Sequence, residues 1–275
     1  MRRSSVAGRT LAGLLSASLV GLFVLPLIAL FFYAGWGGLS FALSNRGFLA
    51  TIQFTLLASG LAVALGLLTG VPLGYVLARY RFPGKGVVES IVTVPVVVPH
   101  LIVGIALLLL FAPTSPLGAF TASLGIPVFD AVWGVVLVML YVGASYVILT
   151  SELAFRGVDE EALEAARSLG AGPGEAFATI TLPSAARGIL TGALLMWARG
   201  VSEVGGFLIL AAAVYLGNGS VTQPSSVWIY GYWGIDPVAA AGASAILVLV
   251  ALAIFLGVRF LDRSGLSWVR GGWFS

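Results

Sequence analysis

Long apolar runs with almost no charge constrain this chain more than any other feature. Six stretches are long enough to cross a bilayer: Leu11–Tyr33, Thr51–Ala78, Val87–Phe111, Ala131–Thr150, Ile189–Ala213 and Val238–Leu256. A span needs about 20 apolar residues at about 1.5 Å rise each. Only Glu89 in the third run, and Arg199 and Glu203 in the fifth, bring charge into them. An apolar solvent forces each span to satisfy its own backbone hydrogen bonds, so helices are predicted. A barrel would show short alternating segments, and these runs are continuous. Composition agrees. Charged residues make up 9% and hydrophobic residues 59%, whereas soluble chains carry about 25% charge. The expected fold class is therefore an all-α membrane protein with six transmembrane helices. A soluble enzyme, a disordered chain, a coiled coil and a disulfide scaffold are excluded. Cysteine is absent and His100 is the single histidine, which leaves no thiolate nucleophile and almost no vocabulary for a metal site. In such a chain, which sits in the lipid bilayer, the net charge of +3 is no sign of affinity for nucleic acid; what informs is where Lys and Arg lie.

The basic residues orient the spans. Arg2, Arg3 and Arg9 precede the first; Arg79, Arg81 and Lys85 lie between the second and third; Arg156, Arg167 and Arg187 lie between the fourth and fifth; Arg259, Arg263 and Arg270 follow the sixth. The opposite loops carry Arg46 alone. Positive residues stay inside, so both termini and the two charged loops are expected in the cytoplasm, in a multi-pass plasma-membrane protein. The Gly/Pro-rich segment 112–130 and the aromatic segment 214–235 then face outward. Trp228, Tyr230, Tyr232 and Trp233 are expected at the outer interface, and Trp268 and Trp273 at the inner one. The first run is too long for a secretion signal's apolar core and reads as an uncleaved span. Asn218-Gly219-Ser220 has the form of a glycosylation sequon only.

The loop from Ser151 to Gly188 differs from the rest. It holds six of the eleven acidic residues, and its pattern predicts two short helices. Asp159 suits an N-cap with Glu160 and Glu161 in the first turn, where the helix dipole favours acids. Gly170 suits the position just past the helix end, and Pro173 the first turn of the next helix. Pro183 is expected to stop that second helix. The spacing runs Glu164-Ala165-Ala166, three residues, Gly170, nine residues, Ile180, one residue, Leu182-Pro183. It resembles the EAA loop of ABC-importer permeases at every defining position. A short helix with small residues on one face can enter a groove on another protein. Phe82-Pro83-Gly84-Lys85-Gly86 surrounds the only lysine and is not a G-x-x-x-x-G-K-[ST] nucleotide loop, so ATP-driven work would need a separate ATPase docked on this loop.

Three further stretches carry the resemblance. Gly70-Val71-Pro72-Leu73-Gly74-Tyr75-Val76-Leu77-Ala78-Arg79 and Val94-Pro95-Val96-Val97-Val98-Pro99-His100 are similar to signatures of molybdate, tungstate and sulfate permeases. Trp197-Ala198-Arg199-Gly200-Val201-Ser202-Glu203-Val204-Gly205 is most similar to the tungstate/molybdate branch. The likeness covers roughly residues 45 to 260. It implies a type I ABC-importer permease fold: an N-terminal span and external loop (1–45), a transmembrane core (46–262) with its coupling loop (151–188), and a cytoplasmic tail (263–275). It also implies a homodimer, a cytoplasmic ABC ATPase dimer that carries ATP and magnesium, and an external substrate-binding protein, with no cofactor on this chain. Relatives often carry proline where this chain has Ala144-Ser145-Tyr146, which implies a straighter fourth span here.

Arg199 and Glu203 are the charged pair within the fifth span. At a helix centre each costs about 2.5–3.5 kcal/mol on insertion scales, and their i, i+4 spacing lets them meet on one helix face. They either neutralise each other or, with Ser202, form a gate or anion-sensing position. Gly205-Gly206 beyond them permits close packing or a bend. His100 follows Pro95 and Pro99. Its expected role is packing, bonded to a neighbour's backbone; the other is to face the pathway from a kinked third span. Ala58, Ala62, Gly66, Gly70, Gly74 and Ala78 form a four-residue stripe that allows close helix contact, within the chain or at a dimer seam. Two rival functions remain. A stand-alone secondary transporter would need coupling acids in its spans, where only Glu203 qualifies, and has no reason for the EAA spacing. An intramembrane enzyme has no H-E-x-x-H, paired aspartates or G-x-S-x-G to use.

Overall fold

The computed structural model describes residues 6–217 and 219–265. Arg2, Arg3, Asn218 of the sequon, Trp268, Arg270 and Trp273 lie outside the described residues, as does the tail beyond Gly265. Five helices are long and apolar enough to cross a membrane, and a sharply bent pair makes a sixth span if counted as one.

The described residues group into two units. The first takes the chain up to Leu49 together with Trp228–Leu252, and the second takes Ala50–Val227 with the chain from Ala253. In the first unit, α1 (Val6–Ser44) carries a long exposed apolar surface, with Leu14, Phe23 and Leu25 among the most exposed. It breaks at Gly35, whose φ of 53° is left-handed, a conformation glycine adopts without steric cost. Beyond the break, Gly38 touches α12 (Pro237–Gly265): a Cβ there would stand 2.4 Å from the Val238 carbonyl oxygen. Trp228 and Tyr232 stack at 4.1 Å, Phe41 packs on Tyr232, and Phe48 packs on Trp228. Trp228 is therefore buried, which corrects its expected place at the outer interface; Tyr230 and Trp233 do remain exposed.

The second unit holds the site. α2 (Arg46–Arg79) leads to α3 (Lys85–Val97) and α4 (His100–Phe111), which meet at a bend of 114°. The third run was expected as one kinked span. Instead it breaks, because Pro99 has no N–H to donate and drives Val98 to an extended ψ of 129°. α5 (Pro116–Ser123) lies in the predicted loop 112–130, with Ser115 Oγ accepting the Gly118 N–H as its cap. α6 (Val132–Arg156) is an unbroken helix free of proline, as expected for the fourth span. Next come α7 (Glu160–Ser168) and α8 (Pro173–Ala176), then a π turn over Phe177–Thr181 and α9 (Leu182–Val201). α10 (Gly205–Leu210) and a two-residue hairpin, β1 (Val214–Tyr215) with β2 (Val221–Thr222), follow, β1 and β2 pairing antiparallel with Val214 opposite Thr222; the second unit runs on to Val227, within the first turn of α11 (Ser225–Trp233).

Two more expectations are corrected here. Pro183 does not stop a helix. It falls in the first turn of α9, and the helix runs through from Pro173 to Val201. The π turn accounts for this, since its shifted ladder absorbs the missing proline donor. The fifth span also ends earlier than expected, at Val201, and α10 restarts after a break.

The stripe of small residues on α2 packs inside the chain. A Cβ on Gly66 would meet Met196 Sδ at 2.4 Å, and one on Gly74 would meet the Ile148 carbonyl oxygen at 2.8 Å. α2 thus lies against α6 and α9 at Gly66 and Gly74. Val135, Val138, Met139, Val142, Met196 and Phe207 fill the core behind it.

Candidate functional site

The loop Ser151–Gly188 is built by local chemistry. Asp159 Oδ1 accepts the Glu161 N–H at 2.9 Å and starts α7. The helix ends with two paired bonds, Ala171 N–H to the Ala166 carbonyl and Gly170 N–H to the Arg167 carbonyl, both at 3.0 Å. That is a Schellman ending. It needs a left-handed residue at Gly170, whose φ is 94°. Val158, Leu163 and Ala176 form a small buried core with Ile180 packed on it. Ile180 thus serves the interior of the loop. Glu164 and Ala165 face outward, Ala166 is half-buried, Leu182 is partly exposed and Pro183 is half-buried. Leu169, at the end of α7, stands 89% exposed beside Gly170.

The loop is seated on the spans by rings. Tyr75 of α2 meets Phe155 of α6 and Phe177 of the π turn edge to face, each at 5.2 Å. Arg156 pairs with Glu152 and reaches Glu89 of α3 at 3.4 Å.

The second cluster lies where the two broken spans cross. α4 and α10 touch at glycine: a Cβ on Gly104 would stand 2.9 Å from Gly206 Cα. This brings His100, at the start of α4, to Glu203 in the break after α9. His100 Nδ1 lies 2.8 Å from Glu203 Oε2, Arg199 Nη1 reaches the same oxygen at 3.0 Å, and Arg199 Nη2 contacts His100 Nε2. A guanidinium only donates, so Nε2 accepts and the ring proton is assigned to Nδ1, donating to Glu203. Glu203 is fully buried; its Oε1 accepts the Gly206 N–H at 2.8 Å, and Ser226 Oγ donates to its carbonyl. Every polar atom of the carboxylate is thus held, as a buried charge requires. The His100 side chain is 48% exposed and that of Arg199 16%, so the cluster exposes chiefly its imidazole, with a small part of the guanidinium, and hides its carboxylate.

The expected bond from His100 to a neighbour's backbone is therefore corrected: it bonds two charged side chains. Ser202 does not join the cluster, because its hydroxyl donates to the Arg199 carbonyl of its own helix. Ser226 and the Gly206 N–H are members that the sequence did not reveal. Among the described residues no group of three or more His, Cys, Asp or Glu could hold a metal ion.

A bundle of broken and unbroken spans, with a short-helix loop between the fourth and fifth, is the architecture of an ABC-importer permease of type I. Residues 70–264 match the family described as the binding-protein-dependent transport system inner membrane component, and this chain belongs to that family. It is 35% identical over 96% of its length to the molybdate/tungstate transport system permease protein of Pyrococcus furiosus, covering 99% of that protein. It is 34% identical over 93% of its length to a probable molybdenum ABC transporter permease protein of Haloferax volcanii, covering 91% of it. Among solved structures, a bacterial alginate ABC transporter chain superposes with a TM-score of 0.68 at 18% identity, with 94% of each chain covered. An inward-facing methionine ABC transporter chain gives 0.54 at 20% identity, covering 79% of this chain and 94% of that one. These two likenesses speak for the fold. In this family the ATPase is a separate subunit, and the chain is an inner-membrane component with several spans.

Proposed function

We propose that this chain imports an oxyanion, tungstate or molybdate before sulfate, as the homodimeric membrane subunit of an ATP-driven importer. The likeness to molybdate/tungstate permeases over nearly the whole chain supports the substrate class. A cytoplasmic ATPase dimer, carrying ATP and magnesium, docks on the Ser151–Gly188 loop. A substrate-binding protein delivers the anion from outside. Both termini face the cytoplasm, as the placement of Arg and Lys requires.

The observation that carries the mechanism is the continuity from the loop to the charged cluster. Glu164, Ala165 and Leu169 face outward on the loop, and its second helix runs without a stop from Pro173 to Val201. A helix of that length spans about 43 Å. A push at the loop therefore arrives at Arg199, in the last turn of α9. There it acts on the ties to Glu203 and His100, and through them on α4 and α10. Nucleotide binding closes the ATPases and moves the loops, the cluster rearranges, the anion enters, and hydrolysis resets the dimer. Arg199, Glu203 and His100 form the gate, with the exposed imidazole side facing the anion.

The test is ATPase activity of the reconstituted permease, ATPase and binding protein, comparing tungstate, molybdate and sulfate. Stimulation by tungstate or molybdate above sulfate is expected. Equal or greater stimulation by sulfate would overturn the substrate assignment, and no stimulation by any of the three would overturn the oxyanion reading.

A further inference from the structure

The cytoplasmic end of α2 meets the docking loop through an ion pair. Arg79, the last residue of α2, donates from Nη1 to Oε1 of Glu160, the first residue of α7. The two are 81 positions apart in sequence. The Arg79 side chain is 19% exposed and that of Glu160 62%. The pair sits at the edge of a polar cavity of about 360 Å³, shared with Tyr80, Arg167 and Thr181. One helical turn before Arg79, Tyr75 grips Phe155 and Phe177. The loop's covalent connections run to α6 and α9, and neither leads to α2. Arg156 ties α6 to α3 through Glu89, again without involving α2.

We propose that the Arg79–Glu160 pair is a strut that carries motion of the docking loop into α2, so that both are positioning residues for coupling. The inference rests on the docking-loop reading given above. Two properties suit the pair to this task. An ion pair whose carboxylate is well exposed, as that of Glu160 is, is screened by solvent and adds little to folding stability; what the pair does is fix the register of α7 against α2. And α2 is a stiff receiver: a single added carbon at Gly74 would collide with the Ile148 backbone, and one at Gly66 or Gly70 would crowd Met196 of α9 or Val147 and Ile148 of α6. A pull at its cytoplasmic end therefore shifts the 34-residue helix as a body and does not dissipate in loose packing.

The experiment uses the whole importer in vesicles. It reads tungstate taken up per ATP hydrolysed, and separately the amount of ATPase that co-purifies. Arg79→Glu, Glu160→Arg and the uncharged Glu160→Gln should each lower uptake per ATP by roughly threefold, the factor an exposed pair can supply, while the ATPase stays bound. The exchanged double variant should restore the ratio. A wild-type ratio in all three single variants, or a double variant no better than the singles, would overturn the proposal. So would loss of the ATPase from the single variants, which would make the pair a docking anchor. Failure of the docking-loop reading shows itself separately, as a Glu164→Lys protein that keeps both its ATPase and its uptake.

Discussion

At the scale of residues, burial decides which charges matter. Glu203 is wholly buried and all its oxygens are bonded, whereas the ion pairs around Glu89 and Glu160 are partly exposed. Removing one partner of a buried pair typically costs about 3–5 kcal/mol, because the other charge is left unpaired. Arg199→Gln should therefore lower thermal stability in detergent and abolish uptake, and Glu203→Gln should uncouple uptake from ATP hydrolysis. If both variants leave uptake and coupled ATPase unchanged, the gate assignment is wrong. Glycine positions divide the same way. Gly74→Val must push on the Ile148 carbonyl and should destabilise by about 1–3 kcal/mol. Gly60→Ala enters open space and should leave the melting temperature unchanged or slightly raised. Equal melting temperatures for the two variants would contradict the packing described for α2.

Among the elements, those with local signals were legible in the sequence. The second, fourth and sixth spans appear within a few residues of their predicted starts, because apolar length alone specifies a span. Asp159, Gly170 and Pro173 do as their residue types suggest, since caps and left-handed turns are decided within a few residues of chain. The break after α9 was not legible. It is held by Gly206 donating to Glu203 and by the glycine contact with α4, both of which need the folded partner. The Arg199–Glu203 pair was readable from its i, i+4 spacing; His100, 99 positions from Arg199, was not. Pro183 misled because a π turn relieves it, and the sequence carries no signal for that turn. One consequence belongs to this scale. Asp159→Ala should cost about 1 kcal/mol of local stability, read as faster amide exchange in α7 with the spans unaffected. Protection that stays unchanged would show that the loop core of Val158, Leu163 and Ala176 alone sets the helix.

At the scale of the whole molecule, the proposed function makes the chain a membrane lever worked from the cytoplasm. The chain offers an exposed apolar knob and small residues at the loop tip, an uninterrupted helix from there into the membrane, and a charged cluster at the far end. Leu169→Asp at the tip should weaken ATPase retention without disturbing the spans, because Leu169 packs against nothing in this chain that would hold it buried. The measurement closest to the central claim is ATP hydrolysis in vesicles carrying permease, ATPase and loaded binding protein, with wild-type permease beside Glu164→Lys and Gly170→Trp. Wild type should hydrolyse ATP faster when the loaded binding protein is present, and both variants should lose that response while remaining inserted. An undiminished response in both would mean that the motor does not act through this loop.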